Sequence, residues 1–179
     1  MNIYSNLNNK ELSDFLGKTL NNYYDKSVVK NLSIKLNGDG IELINANYKE
    51  AVSISVNFLN EAINNKIKLR ISGKKDIFNK LFPIKNSTLL DCTAGYGRDS
   101  YILRLMGFNV TMIENSPVMS LLLNNALKKL KLLNFKMYHG NSYDYLNHSK
   151  ENYDYIYIDF MFDKLKKNSL SSKNDETLK

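Results

Sequence analysis

Three acids and two glycines in this chain have the types and spacing to do chemistry together. Asp91, Glu114 and Asp159 each close a short apolar run, and Gly95 and Gly97 follow the first of them within a few residues. Glycines at such a turn adopt positive φ and let a ligand come close to the main chain, while the first N–H groups of the next helix have no intrahelical partner. Glu114 stands where an acid at the end of a second strand accepts bonds from both ribose hydroxyls, each contributing about 1.5–3 kcal/mol. Asp91 disfavours a diphosphate in the same turn and suits a ligand with a cationic centre and an amino acid portion, so the turn selects S-adenosylmethionine over NAD. The third glycine of a dinucleotide fingerprint is absent, with Ser100 in its place. The alternative reading makes Asp91 and Glu114 polar caps at strand ends.

Positioning these residues requires a Rossmann-like α/β sheet. Thr88–Cys92 reads as a buried strand, and Tyr101, Ile102, Leu105 and Met106 as a helix stopped by Gly107. Asn109–Ile113 is a second strand. Ser116 caps and Pro117 opens a long helix in which Val118, Leu122, Ala126, Leu130 and Leu133 recur at helical spacing. Lys136–His139 reads as a third strand running into Gly140, Asn141 and Ser142, and after a short connection Tyr153–Ile158 is a fourth, ending at Asp159. Strands and helices in this order predict a parallel sheet with its ligand at the carboxyl ends of the strands, where Asp91, Glu114, Asn141 and Asp159 all fall.

Ahead of this lies a smaller antiparallel unit. Leu32–Leu36 and Ile41–Ile44 alternate around Asn37-Gly38-Asp39-Gly40, a hairpin signal, and Val52–Phe58 alternates again. An amphipathic helix is expected over Lys10–Leu20, and Ile77–Phe82 reads as a helix ending at Pro83. Lys66, Lys68, Arg70, Lys74 and Lys75, interleaved with Ile67, Leu69 and Ile71, suit either phosphate contacts or a solvated strand face. The expected domains are residues 1–83, residues 84–163 and a polar basic tail over 164–179.

Composition narrows the function classes. The 179 residues are 43% hydrophobic, enough for a core, and hold no apolar run long enough to span a membrane. The opening Met1-Asn2-Ile3-Tyr4 lacks a charged-then-apolar leader, so a cytoplasmic location is expected. Cys92 is the only cysteine, which excludes an internal disulfide and a cysteine-based zinc site. A net charge of +7 suits a polyanionic partner such as RNA, although a lysine-biased composition gives the same balance. Only three arginines occur, so Arg98 inside the glycine turn stands out.

Three motifs resemble the small-subunit ribosomal RNA guanine-N2 methyltransferases of the RsmJ type. Asp91-Cys-Thr-Ala-Gly-Tyr-Gly-Arg-Asp99 is similar to that family's Asp-Ala-Thr-Ala-Gly-Leu-Gly-Arg-Asp. Ile113-Glu-Asn-Ser-Pro117 is similar to its Leu-Glu-Arg-Asn-Pro, and Asp159-Phe-Met-Phe-Asp163 to its Asp-Pro-Met-Phe-Pro. The resemblance implies a class I S-adenosylmethionine-dependent fold and methylation of a guanine N2 amine in 16S ribosomal RNA. It also implies a cofactor site of Arg98, Asp99, Glu114, Asn115, Asn141, Ser142 and Asp159, alongside the Asp91, Gly95 and Gly97 of the turn. Asp159 and Phe162 are the expected catalytic residues, the one accepting hydrogens from the amine and the other stacking on the base. No metal is expected.

Phe160 and Asp163 stand where the family has prolines that stiffen its loop, and the family continues past residue 179. These departures support a second reading, a shortened or decayed relative that binds cofactor or RNA without catalysis. A small-molecule methyltransferase is a third. The expected sheet lacks its last strands, which leaves Tyr153–Ile158 as an open edge through which copies of the chain could associate.

Overall fold

The computed structural model describes Lys18, Asn22 and residues 32–37, 40–46, 49–59, 61–72, 77–130 and 135–159. The expected helix over Lys10–Leu20 lies almost wholly outside these residues. Leu133, the basic pair Lys74 and Lys75, the motif residues Phe160, Phe162 and Asp163, and residues 164–179 lie wholly outside them. The chain divides into two compact units, the first containing the described strands up to Val56 and the second beginning at Asn57.

The first unit is a three-stranded antiparallel sheet of β1 (Leu32–Asn37), β2 (Gly40–Asn45) and β3 (Val52–Ser55), in that order. Asn37 pairs with Gly40 across the hairpin, as the alternation around the glycines predicts. Ile41, Leu43 and Asn45 share one face of β2, all buried, and Leu43 pairs directly with the buried Ile54. β3 is shorter than expected, because Phe58 and Leu59 form a turn and Phe58 stacks on Tyr101 of the second unit, to which it belongs.

The second unit begins with two helices, α1 (Glu61–Ser72) and α2 (Ile77–Leu81). The basic stretch around Lys66–Ile71 is therefore helix, not strand. Its two-residue alternation is short, whereas Ile63, Ile67 and Ile71 recur every four residues over a longer span, and the helical period prevails. Leu69 shows the outcome: it is 73% exposed. β4 (Thr88–Asp91), α3 (Arg98–Leu105), β5 (Asn109–Glu114), α4 (Pro117–Lys129), β6 (Lys136–His139), α5 (Ser142–His148) and β7 (Tyr155–Tyr157) complete it. The four strands pair in parallel in the order β6-β5-β4-β7.

α5 occupies what the sequence suggests is a short connection. Its seven residues bury no side chain, so no apolar period announces it. What starts it is Asn141, whose side chain accepts from the Tyr143 amide at 2.8 Å. The other boundaries follow strong local signals. Ser116 caps α4 through the Met119 amide, with Pro117 in the first turn. α3 ends in a Schellman motif: the Gly107 amide donates to Arg104 O and the Phe108 amide to Leu103 O, with Gly107 at φ 100°.

Strand alternation sorts the sheet into two faces. Leu89, Asp91, Val110, Met112, Tyr155 and Tyr157 share one with α3, since Ser100 meets Asp91 and Asp99 meets Tyr157. On that face Phe82 packs edge-on against Phe108 and Tyr155, with ring centroids 6.0 and 5.2 Å away. On the other face Tyr145 of α5 and Tyr153 cover Leu90, Cys92 and Ile113.

Candidate S-adenosylmethionine site

The carboxyl ends of β4, β5 and β7 and the start of α5 bring Asp91, Glu114, Asp159, Asn141 and Ser142 to one end of the sheet. The turn between β4 and α3 is built by Gly95 at φ 51° and Gly97 at φ 68°. Gly97 also needs the missing side chain for space, because an added Cβ would meet Leu123 Cδ1 at 2.5 Å. Around Gly95 the nearest atom to an added Cβ is Thr93 O at 3.9 Å, so the turn is open on that side.

Asp91 lies beneath the turn and is 1% exposed. Its Oδ2 accepts from Ser100 Oγ at 2.7 Å and its Oδ1 from the Thr93 amide at 2.9 Å. Burial pushes its carboxyl up to about 6; the bonds from Ser100 and Thr93 oppose that rise and nearby Asp99 adds to it. Burial likewise pushes the Cys92 thiol up, as suits a packing residue and not a nucleophile.

Glu114 reaches across from β5. Its Oε2 accepts from the Gly95 amide at 2.8 Å and its Oε1 from the Ser116 amide at 2.7 Å. A carboxylate has about four lone-pair positions, so two remain for a ligand's hydroxyls. Asn115 is exposed beside it, and its carbonyl meets His139 Nε2 at 3.2 Å. The Ser142 hydroxyl donates to Cys92 O at 3.0 Å, which ties the start of α5 to the end of β4. Arg98 is exposed, with its guanidinium 5.3 Å from the Tyr96 ring centroid.

The exposed Asp159 donates its amide to Thr93 Oγ1 at 2.8 Å. Tyr157, two residues earlier, donates its hydroxyl to Asp99 Oδ2 at 2.8 Å, and burial together with Asp99 pushes the phenol upward. Thr93, Ser100 and Tyr157 are not among the residues expected at the site from the sequence. Thr93 and Tyr157 carry no local signal, since their partners lie 66 and 58 residues away. Phe162 falls outside the described residues. Among the described residues no cluster of His, Cys, Asp or Glu could hold a metal ion.

This donor set fits S-adenosylmethionine. The open glycine turn admits a close approach, a carboxylate with free lone pairs stands one strand away, and the buried acid under the turn favours a cationic ligand. Asp91 acts through the turn that it holds, since both its oxygens are engaged there.

A parallel sheet with a glycine turn after β4 and acids at its carboxyl ends defines a Rossmann-like fold of the nucleotide-binding kind. A crystal structure of a SAM-dependent methyltransferase from Neisseria gonorrhoeae shares this fold, with a TM-score of 0.58 and 24% identity over 72% of this chain and 56% of that one. Residues 20–179 match a family described as "Putative SAM-dependent methyltransferase". Ribosomal RNA small subunit methyltransferase J of Buchnera aphidicola is 31% identical over 196 aligned residues, covering 100% of this chain and 76% of that protein. The proteins of the same name from Alteromonas mediterranea and Coxiella burnetii are 32% and 31% identical, over 73% and 78% of this chain. The chain belongs to this family of S-adenosylmethionine-dependent methyltransferases, and S-adenosylmethionine is its cofactor. It spans 54% and 58% of the length of the Alteromonas and Coxiella relatives. No helix among the described residues is long and apolar enough to cross a membrane.

Proposed function

We propose that this protein transfers a methyl group from S-adenosylmethionine to the N2 amine of a guanine in 16S ribosomal RNA. The observation that carries this reading is the bond from the Asp159 amide to Thr93, which holds the acid at the end of β7 against the cofactor turn. The relatives named for small-subunit ribosomal RNA and the net charge of +7 support an RNA substrate. Such a substrate would put the reaction in the cytoplasm.

When bound, the cofactor supplies a methyl group already activated on a sulfonium. The chain's task is then positioning. Gly95 and Gly97 admit the ligand to the main chain, and Asp91 holds the turn in shape and keeps it negative. Glu114 accepts from the ribose hydroxyls, with Asn115 beside it, and Arg98, Asp99, Asn141 and Ser142 complete the cofactor's surroundings. A guanine N2 amine is a poor nucleophile because its lone pair is conjugated into the ring. The Asp159 carboxylate accepts a hydrogen bond from that amine and orients it, the proton that N2 loses on methylation passes to solvent, and Phe162 stacks on the base.

Transfer of tritiated methyl groups to unmodified small-subunit RNA tests the reading. Incorporation at a guanine N2, lost in Asp159→Ala with cofactor binding retained, is the expected result. A protein that binds S-adenosylmethionine yet labels no RNA would refute it and match the decayed relative.

A further inference from the structure

We propose that Thr93 and Tyr157 are positioning residues that lock Asp159 to the cofactor turn; this deepens, and rests on, the methyl-transfer reading above. The last main-chain rung between β4 and β7 is the bond from the Cys92 amide to Tyr157 O at 3.0 Å. Beyond it two side chains take over from the ladder. The Thr93 hydroxyl oxygen accepts from the Asp159 amide at 2.8 Å, standing in for the backbone carbonyl that a further rung would supply. The same oxygen is 3.5 Å from Asp91 Oδ1, so the hydroxyl proton can point to the buried acid while a lone pair faces Asp159. Two residues back, the Tyr157 hydroxyl donates to Asp99 Oδ2 at 2.8 Å from a ring set edge-on against Phe78, 5.8 Å between centroids. The two bonds bracket Ile158 and bind residues on either side of it to opposite ends of the glycine turn.

The strand pair does not depend on these bonds for its existence. At its amino end Asp154 Oδ2 accepts from both the Thr88 amide and the Thr88 hydroxyl at 2.8 Å. Losing the upper contacts therefore frees Asp159 without unpairing β7. A group displaced by about 1 Å at a reacting centre lowers turnover by up to about 100-fold.

Thr93→Val keeps the shape and removes the hydroxyl; Thr93→Ser restores it. The full chain should show a fall in kcat of about tenfold or more for Thr93→Val. KM and Kd for S-adenosylmethionine should stay within about threefold of the parent, and Thr93→Ser should recover kcat. Tyr157→Phe should give the same split. A second readout needs no reaction: hydrogen exchange at the Asp159 amide, followed by NMR, should speed up in Thr93→Val and return to the parent rate in Thr93→Ser. An unchanged Asp159 exchange rate, an unchanged kcat, or cofactor affinity falling in step with kcat would each overturn the proposal. If the parent labels no RNA, the methylation reading fails separately, and the exchange result alone decides whether the clamp exists.

Discussion

On one face of the parallel sheet Leu89, Val110 and Met112 are 0–1% exposed beneath helices and a cluster of aromatic rings. On the opposite face Leu90 and Ile113 are as deeply buried, but Tyr138, Ile156 and Ile158 towards the sheet's ends are 36–51% exposed, and α5 buries no side chain at all. The first face is held by close-packed apolar volume. The second relies on hydroxyls and charges: Tyr145 and Tyr153 share a bond of 2.7 Å, Tyr153 donates to Glu151 at 2.8 Å, and Glu151 pairs with Lys136 at 3.1 Å. Burial pushes the Tyr153 phenol well upward. The contrast shows where rigidity is placed. The cofactor turn is buttressed from the packed face, through Leu123 beneath Gly97 and Ser100 on Asp91.

Five changes can break or sharpen this contrast. Leu123→Ala should cost about 3 kcal/mol, because it removes buried methyl groups and leaves a hole under Gly97. Ile156→Ala on the other face should cost less than about 1 kcal/mol. Urea unfolding of both variants decides; equal losses would erase the difference between the faces.

Next in size is the pH dependence from Asp91. Its native carboxyl, raised to about 6, keeps a proton that the unfolded chain releases near 4, so between those values the native state binds more protons. Stability contributed by this group is thus highest at low pH and declines as pH rises through the window, by about 2 kcal/mol. The difference in unfolding free energy between the parent and Asp91→Asn, measured from pH 4 to 7, isolates it. A flat difference would mean that Asp91 titrates normally.

Glu114→Gln keeps an acceptor for the Gly95 or Ser116 amide but loses the charge, and should weaken S-adenosylmethionine binding by about 1.5 kcal/mol in calorimetry. Affinity equal to the parent's would remove Glu114 from the ribose contact. The smallest effect belongs to the hydroxyl chain: Tyr153→Phe should cost about 1 kcal/mol. A loss as large as that of Leu123→Ala would place the second face on equal footing with the first.

The features legible in the sequence are those with a local cause. Gly95 and Gly97, the Ser116-Pro117 helix start and the Gly107 stop each act within a few residues, and each appears where its residue type predicts. The fourth strand contracts to Tyr155–Tyr157, because strand propensity extends further than partners do. The sequence of α1 is ambiguous by itself, since a two-residue and a four-residue period compete over the same isoleucines. α5 depends on an asparagine cap without an apolar stripe, so periodicity is blind to it. Thr93 and Tyr157 were invisible for another reason: their partners lie 66 and 58 residues away. Residue type alone cannot reveal which distant main-chain atom a hydroxyl will meet.

That separation has a kinetic consequence. Pairing β4 with β5 closes a loop of roughly twenty residues, at a chain-entropy cost of about 3 kcal/mol, whereas joining β7 to β4 closes one of 66, at about 4 kcal/mol. β7 offers only three residues of ladder in return, so it gains enough only after Phe82 and Phe108 are in place to receive Tyr155. The sheet is therefore expected to assemble from β4 and β5 outward and to take in β7 last, with the β7 amides exchanging earliest among the four strands in native-state hydrogen exchange.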